Sequence, residues 1–104
     1  MSVEGTWRLA VQSPMGKQHL TLVLHEDGGA VSGTQTNEAN QRSAEIFEAR
    51  VTGDRLEWKV TLKEMKMTLS FDTTVAGDAL SGKVKAGLFG KFSVSGERDA
   101  QAPA

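Results

Sequence analysis

His19 and His25 are the two histidines of the chain, and histidine is where metal or acid–base chemistry is first sought. Six residues apart on an extended segment, they share a side but stand about 20 Å from each other, too far for one ion. Exposed polar strand positions account for both, and no metal site is expected. The carboxylates are no more promising. Asp54 and Asp78 each follow a glycine in a turn-forming dipeptide, and Glu45, Glu48, Glu57 and Glu64 fall on separate segments. Hydrolysis needs two carboxylates that converge, and these do not. Ser13, Ser32 and Ser81 lack both a nearby histidine and the strand–turn–helix setting that exposes a nucleophile. Gly87-Leu88-Phe89-Gly90 does not lead from a strand into a helix, so its glycines read as a hairpin rather than a phosphate cradle. No enzymatic activity and no cofactor is expected.

Charge closes further options. Twelve Lys and Arg against thirteen Asp and Glu leave a formal net charge of -1, with no basic excess for a nucleic-acid backbone or a membrane surface. Lys83, Lys85 and Lys91 make a small cationic strip best read as a solvated face, and the chain has no tyrosine to stack on single strands. No apolar run approaches the roughly 18 residues of a membrane span, and the N-terminus lacks the charged-then-apolar order of a signal peptide. The absence of cysteine excludes disulfides and fits a reducing cytoplasm. With 104 residues, 38% hydrophobic and 24% charged, the chain has the makings of one soluble domain, residues 1–98, followed by a small, polar, Pro-bearing tail at 99–104.

What remains is alternation. Trp7, Leu9 and Val11 recur every second residue, as do Leu20, Leu22 and Leu24. Leu56, Trp58, Val60 and Leu62 do the same, and so do Met65, Met67, Leu69 and Phe71, then Leu80 with Val84 and Ala86, then Phe92 and Val94. A period of two is that of a strand with one buried face. The segments 30–36 and 43–51 are less regular; in the second, Phe47, Ala49 and Val51 form the expected inward set, which leaves Ile46 without a place. Eight strands therefore start near residues 5, 18, 30, 43, 54, 65, 78 and 90, at the regular spacing of about 11–13 residues that marks an all-β barrel or sandwich. No helical stripe supplies crossovers, so sequential hairpins follow. The expected fold is an eight-stranded antiparallel up-and-down (meander) β-barrel, whose closure removes both sheet edges.

The turns assign the two ends. Val51-Thr52-Gly53-Asp54-Arg55-Leu56 is echoed by Val75-Ala76-Gly77-Asp78-Ala79-Leu80 and, more loosely, by Glu26-Asp27-Gly28-Gly29-Ala30-Val31. These three tight turns fall at one end of a meander. The opposite end receives the longer loops around residues 13–17, 37–42, 63–64 and 87–90, where a β scaffold usually carries its site. Met15, Met65, Leu88 and Phe89 gather there, above Met67, Trp58, Leu62 and Phe92. Flexible, polarizable methionines suit irregular apolar ligands. The expected function is non-enzymatic binding of a small apolar or amphipathic molecule in this lumen, with Gln35, Asn37 or Ser13 orienting it and Arg42, Lys66 or Lys17 available for a carboxylate. The competing expectation is a structural or oligomerisation barrel whose lumen is filled by its own side chains. An apolar rim also favours a homodimer.

Gly5-Thr6-Trp7 at the first strand and Gly96-Glu97-Arg98 at the last resemble the calycin superfamily of lipocalins, fatty-acid-binding proteins and avidins. That resemblance implies that Trp7 packs beneath Arg98 and seals the base of the barrel. The segment Asp27 to Thr34 and the Leu56-to-Val60 strand are similar to avidin-like proteins, especially to short bacterial avidin-like domains with Ser-Pro-Met-Gly and Val-Lys-Ala-Gly-x-Phe-Gly. Most of the biotin-contacting residues do not carry over, although one avidin serine falls on Ser13. Leu9, Gln35, Asn37 and Leu62 stand where the avidin asparagine, tyrosine, serine and tryptophan would be, which argues against biotin.

Overall fold

A computed structural model describes residues 3–13, 16–28, 30–39, 41–62, 66–87 and 90–99. The alternating runs become β1 (Gly5–Ser13), β2 (Gly16–Asp27), β3 (Ala30–Asn37), β4 (Arg42–Glu45), β5 (Phe47–Thr52), β6 (Arg55–Leu62), β7 (Met67–Ala76), β8 (Ala79–Lys85) and β9 (Lys91–Arg98). All described pairings are antiparallel and join neighbouring staves, and β9 returns to β1 with Trp7 opposite Arg98. β4 and β5 are halves of one stave, both paired to β3. The nine strands thus form a closed, eight-stave meander barrel. Among the described residues no helix is long and apolar enough to cross a membrane.

The inward face is the apolar one throughout. Trp7, Leu9, Leu22, Leu24, Leu56, Trp58, Val60, Phe71, Leu80, Val84 and Val94 are all buried in one continuous core. Such a small barrel must bend its staves sharply, and glycine marks where. An ideal Cβ on Gly82 would lie 2.1 Å from the Asp72 carbonyl oxygen of the adjacent strand, so any side chain there forces β7 and β8 apart. The tight turns also behave as their chemistry demands. Thr52 pairs directly with Arg55, and Ala76 with Ala79. The first residue of each two-residue loop, Gly53 or Gly77, has φ near 60° (61° and 64°), a conformation open to glycine at little cost.

The fourth stave departs from the sequence expectation. Ile46 is buried, whereas Phe47 is 39% exposed and faces out. The pairing to β6 runs Phe47↔Lys59 and then Arg50↔Glu57, so one extra residue is accommodated between them. Glu48 takes φ 48° there. This bulge inverts the phase: Ala44 and Ile46 point inward before it, Ala49 and Val51 after it. A uniform alternation cannot describe such a strand, which is why Phe47 was expected inside and Ile46 had no place.

The base is sealed by one side chain from each terminus. Arg98 lays its guanidinium carbon 4.6 Å from the centroid of the Trp7 ring. Its Nη1 donates to the Glu4 carbonyl at 2.8 Å, Nη2 to the Gly77 carbonyl at 3.3 Å, and Nε stands 2.9 Å from an Asp78 carboxylate oxygen. Trp7 in turn donates its indole N–H to the Val3 carbonyl at 2.9 Å. Asp99, which the sequence places with the tail, is held: its N–H donates to Thr6 O at 2.7 Å and its carboxylate accepts from Arg8 Nε at 3.0 Å.

Candidate functional site

The strand directions put the loops 13–16, 37–42, 62–67 and 85–91 at the end opposite the Trp7–Arg98 seal. Four of the residues expected to shape that mouth, Met15, Met65, Leu88 and Phe89, lie outside the described residues. The other six are described, and they do not behave alike.

Trp58 and Gln35 meet. Trp58 is 1% exposed and donates its indole N–H to Gln35 Oε1 at 3.0 Å. The bond connects β6 to β3 across the stave made by β4 and β5, so it reaches over the lumen rather than along a strand pair. Gln35 itself is 6% exposed. Trp58 is further fixed by Phe71, its direct cross-strand partner, whose ring stacks on it at 4.6 Å with planes 7° apart. Together these three side chains make a rigid floor across the middle of the barrel. One layer below, Thr73 donates its hydroxyl to the Leu56 carbonyl at 2.9 Å, leaving that buried polar group satisfied.

Above the floor, Leu62, Met67 and Phe92 are half-buried, as are Val11 and Leu69 beside them. Exposure therefore rises towards the mouth along β6 and along β7. Asn37 is committed locally: its Oδ1 accepts from the Ala39 N–H at 2.9 Å and its carbonyl from the Gln41 N–H at 2.8 Å, which shapes the loop to β4. Ser13 likewise donates to the Gly16 carbonyl at 2.8 Å across the first hairpin. Phe71, Leu69 and Val11 were not singled out from the sequence as site residues. The Trp58↔Phe71 pairing could have been counted outward from the β6–β7 hairpin, since Leu62 opposite Met67 sets every pair below it.

Two open grooves lie on the outer wall. One of about 630 Å³ is lined by outward residues of β1, β2 and β9 such as Arg8, Ala10, His19 and Ser95. The second, about 620 Å³, runs over β6 to β9 past Arg55, Glu57, Ser70 and Lys85. In the second groove Arg55 holds Asp72 at 2.9 and 2.6 Å, and Lys59 pairs with Glu48 at 2.9 Å. The Arg55 hydrogen bond holds the Asp72 carboxyl below its usual range, assisted by charge from Arg55 and Lys91 and opposed by slight burial. Among the described residues no three His, Asp or Glu side chains gather where a metal ion could be held.

Fold and mouth together define the class: a closed, all-β meander barrel sealed by Trp7 and Arg98 at one end, with the longer connections 37–42, 62–67 and 85–91 at the other, where β1 and β2 are joined as tightly as at the base. No protein-family model matches the chain, and no curated protein matches its sequence. Among solved structures it is similar to a redesigned β-barrel, with a TM-score of 0.75 over 93% of this chain and 91% of that one. The sequence identity is 12%, so the likeness is one of fold.

Proposed function

We propose that this is a non-enzymatic barrel that binds a small apolar or amphipathic molecule at its loop-rich mouth, in the manner of calycins. One observation carries the reading. Along the inward faces of β6 and β7, side chains pass from buried (Trp58, Val60, Phe71) to half-buried and apolar (Leu62, Met67, Leu69). The partly exposed faces of these side chains offer a ligand apolar surface above Trp58. Covering such surface is favourable by about 25 cal/mol per Å² removed from water.

The neutral dye N-phenyl-1-naphthylamine tests this reading. Its emission should rise on titration with the protein, and Met67→Trp should weaken its binding by covering that surface. Unchanged affinity in Met67→Trp removes the mouth as the site.

A second reading, a structural barrel without a ligand, is favoured by the middle of the lumen. Trp58 and Phe71 occupy it with exposures of 1% and 2%, above Trp7 at the base with 0%. No dye response in the folded protein would leave this reading standing.

A further inference from the structure

Gln35 presents an asymmetry that packing alone does not require. The residue is 6% exposed, and its direct cross-strand partners are Leu22 of β2 and Ala44 of β4. An indole N–H can only donate, so the contact with Trp58 assigns the oxygen of the carboxamide to the indole and turns the nitrogen away from it. Trp58 cannot swing to release that oxygen, because Phe71 stacks on its face. The amide nitrogen makes no hydrogen bond to any described residue, and it is not fully enclosed. A reachable N–H donor without a partner is open to an incoming acceptor.

We propose, resting on the mouth reading above, that Gln35 Nε2 anchors an oxygen acceptor of the ligand, and that the ligand is a small uncharged carbonyl compound such as an aliphatic ketone or ester, held oxygen-down. The lock by Trp58 makes the site selective. A head group that can only donate finds no acceptor at Nε2 and shares Oε1 with the indole N–H. A carboxylate at the floor would be buried without a counter-charge, which is costly: Arg98 lies at the other end over Trp7, and Arg42 and Lys66 are exposed on the rim. The apolar ring of Leu62, Met67, Leu69 and Phe92 then covers the chain of the guest.

The test uses the whole protein with 2-octanone and 1-octene, matched in length and differing in the acceptor. In a ¹⁵N–¹H spectrum the Gln35 side-chain NH₂ pair should move on addition of 2-octanone and stay still with 1-octene, while the Trp58 indole N–H keeps its position. Gln35→Met retains volume and removes the donor; it should weaken 2-octanone about tenfold, the scale of one hydrogen bond in a desolvated site, and change 1-octene less than twofold. Binding of 2-octanone without movement of the Gln35 pair overturns the anchor and leaves the mouth reading intact. Failure of 2-octanone, 1-octene and the naphthylamine dye alike removes the mouth reading and the anchor with it. If Gln35→Met does not fold, the wild-type spectrum decides alone.

Discussion

Arg98 stands directly opposite Trp7 across the β1–β9 seam, with its guanidinium carbon 4.6 Å from the indole centroid. The same group reaches the Glu4 and Gly77 carbonyls and the Asp78 carboxylate. It therefore joins the N-terminal segment, the β7–β8 turn and the closing strand at one point. Gly5 enters the strand at φ 134°, a conformation that L side chains rarely adopt, and lies against the Arg98 stem.

Removing this contact should open the barrel at its base. Trp7→Ala is expected to cost about 3–5 kcal/mol as a buried aromatic deletion. Arg98→Met should cost about 2–4 kcal/mol, combining the cation–π contact with charge-assisted hydrogen bonds. Urea denaturation of Trp7→Leu, Arg98→Met and the double variant should yield a coupling of about 0.5–2 kcal/mol. A coupling near zero would show that the stacking contributes nothing.

The bulge in the fourth stave makes a prediction opposite to simple alternation. Ile46→Ala should destabilise by about 2–5 kcal/mol, as for other buried aliphatic truncations. Phe47→Ala should stay within about 0.5 kcal/mol, as for exposed substitutions. Denaturation midpoints in the reverse order would place Phe47 in the core and remove the bulge.

Two glycines can be separated by cause. Gly82→Ala pushes a methyl into the Asp72 carbonyl and should cost more than about 2 kcal/mol, or abolish folding, because two strands must part. Gly77→Ala meets nothing within 4 Å but must hold φ at 64°, a cost of about 1–2 kcal/mol. Equal effects of the two in thermal unfolding would contradict the close approach of β7 and β8.

The Arg55–Asp72 pair should show itself in acid. A carboxylate whose folded pKa is depressed contributes stability that is fully present above its unfolded value, about 4, and is lost as pH falls through the lower folded value. Asp72→Asn should therefore lower the urea midpoint slightly at pH 7. The gap to the wild type should close as the pH drops below the folded pKa, and narrow in 1 M salt, because both partners are exposed. A gap that widens in acid would reverse the assignment.

Much of this architecture is written in local pattern. The two-residue period sets which face of a strand is buried, and it places the start of each of the eight staves within about two residues of that read from the sequence, though not the break before β5. The Gly-Asp turns sort the hairpins into a stitched end and a looped end, because a meander alternates direction at every turn. The contact of Trp7 with Arg98 was legible only through the resemblance carried by Gly5-Thr6-Trp7 and Arg98, not through spacing.

Other features exist only once the ring is closed. Ile46 and Phe47 exchange places because an extra residue on one strand must be absorbed against a neighbour of fixed register, a mismatch visible only when both strands are paired. Gly82 needs to be glycine because of the path of β7, not of its own segment. The Gln35–Trp58 bond spans 23 residues of sequence and a whole intervening stave; no spacing rule links the two. Barrel curvature brings them within reach, and the one-way chemistry of the indole N–H then decides which end of the amide is left facing away.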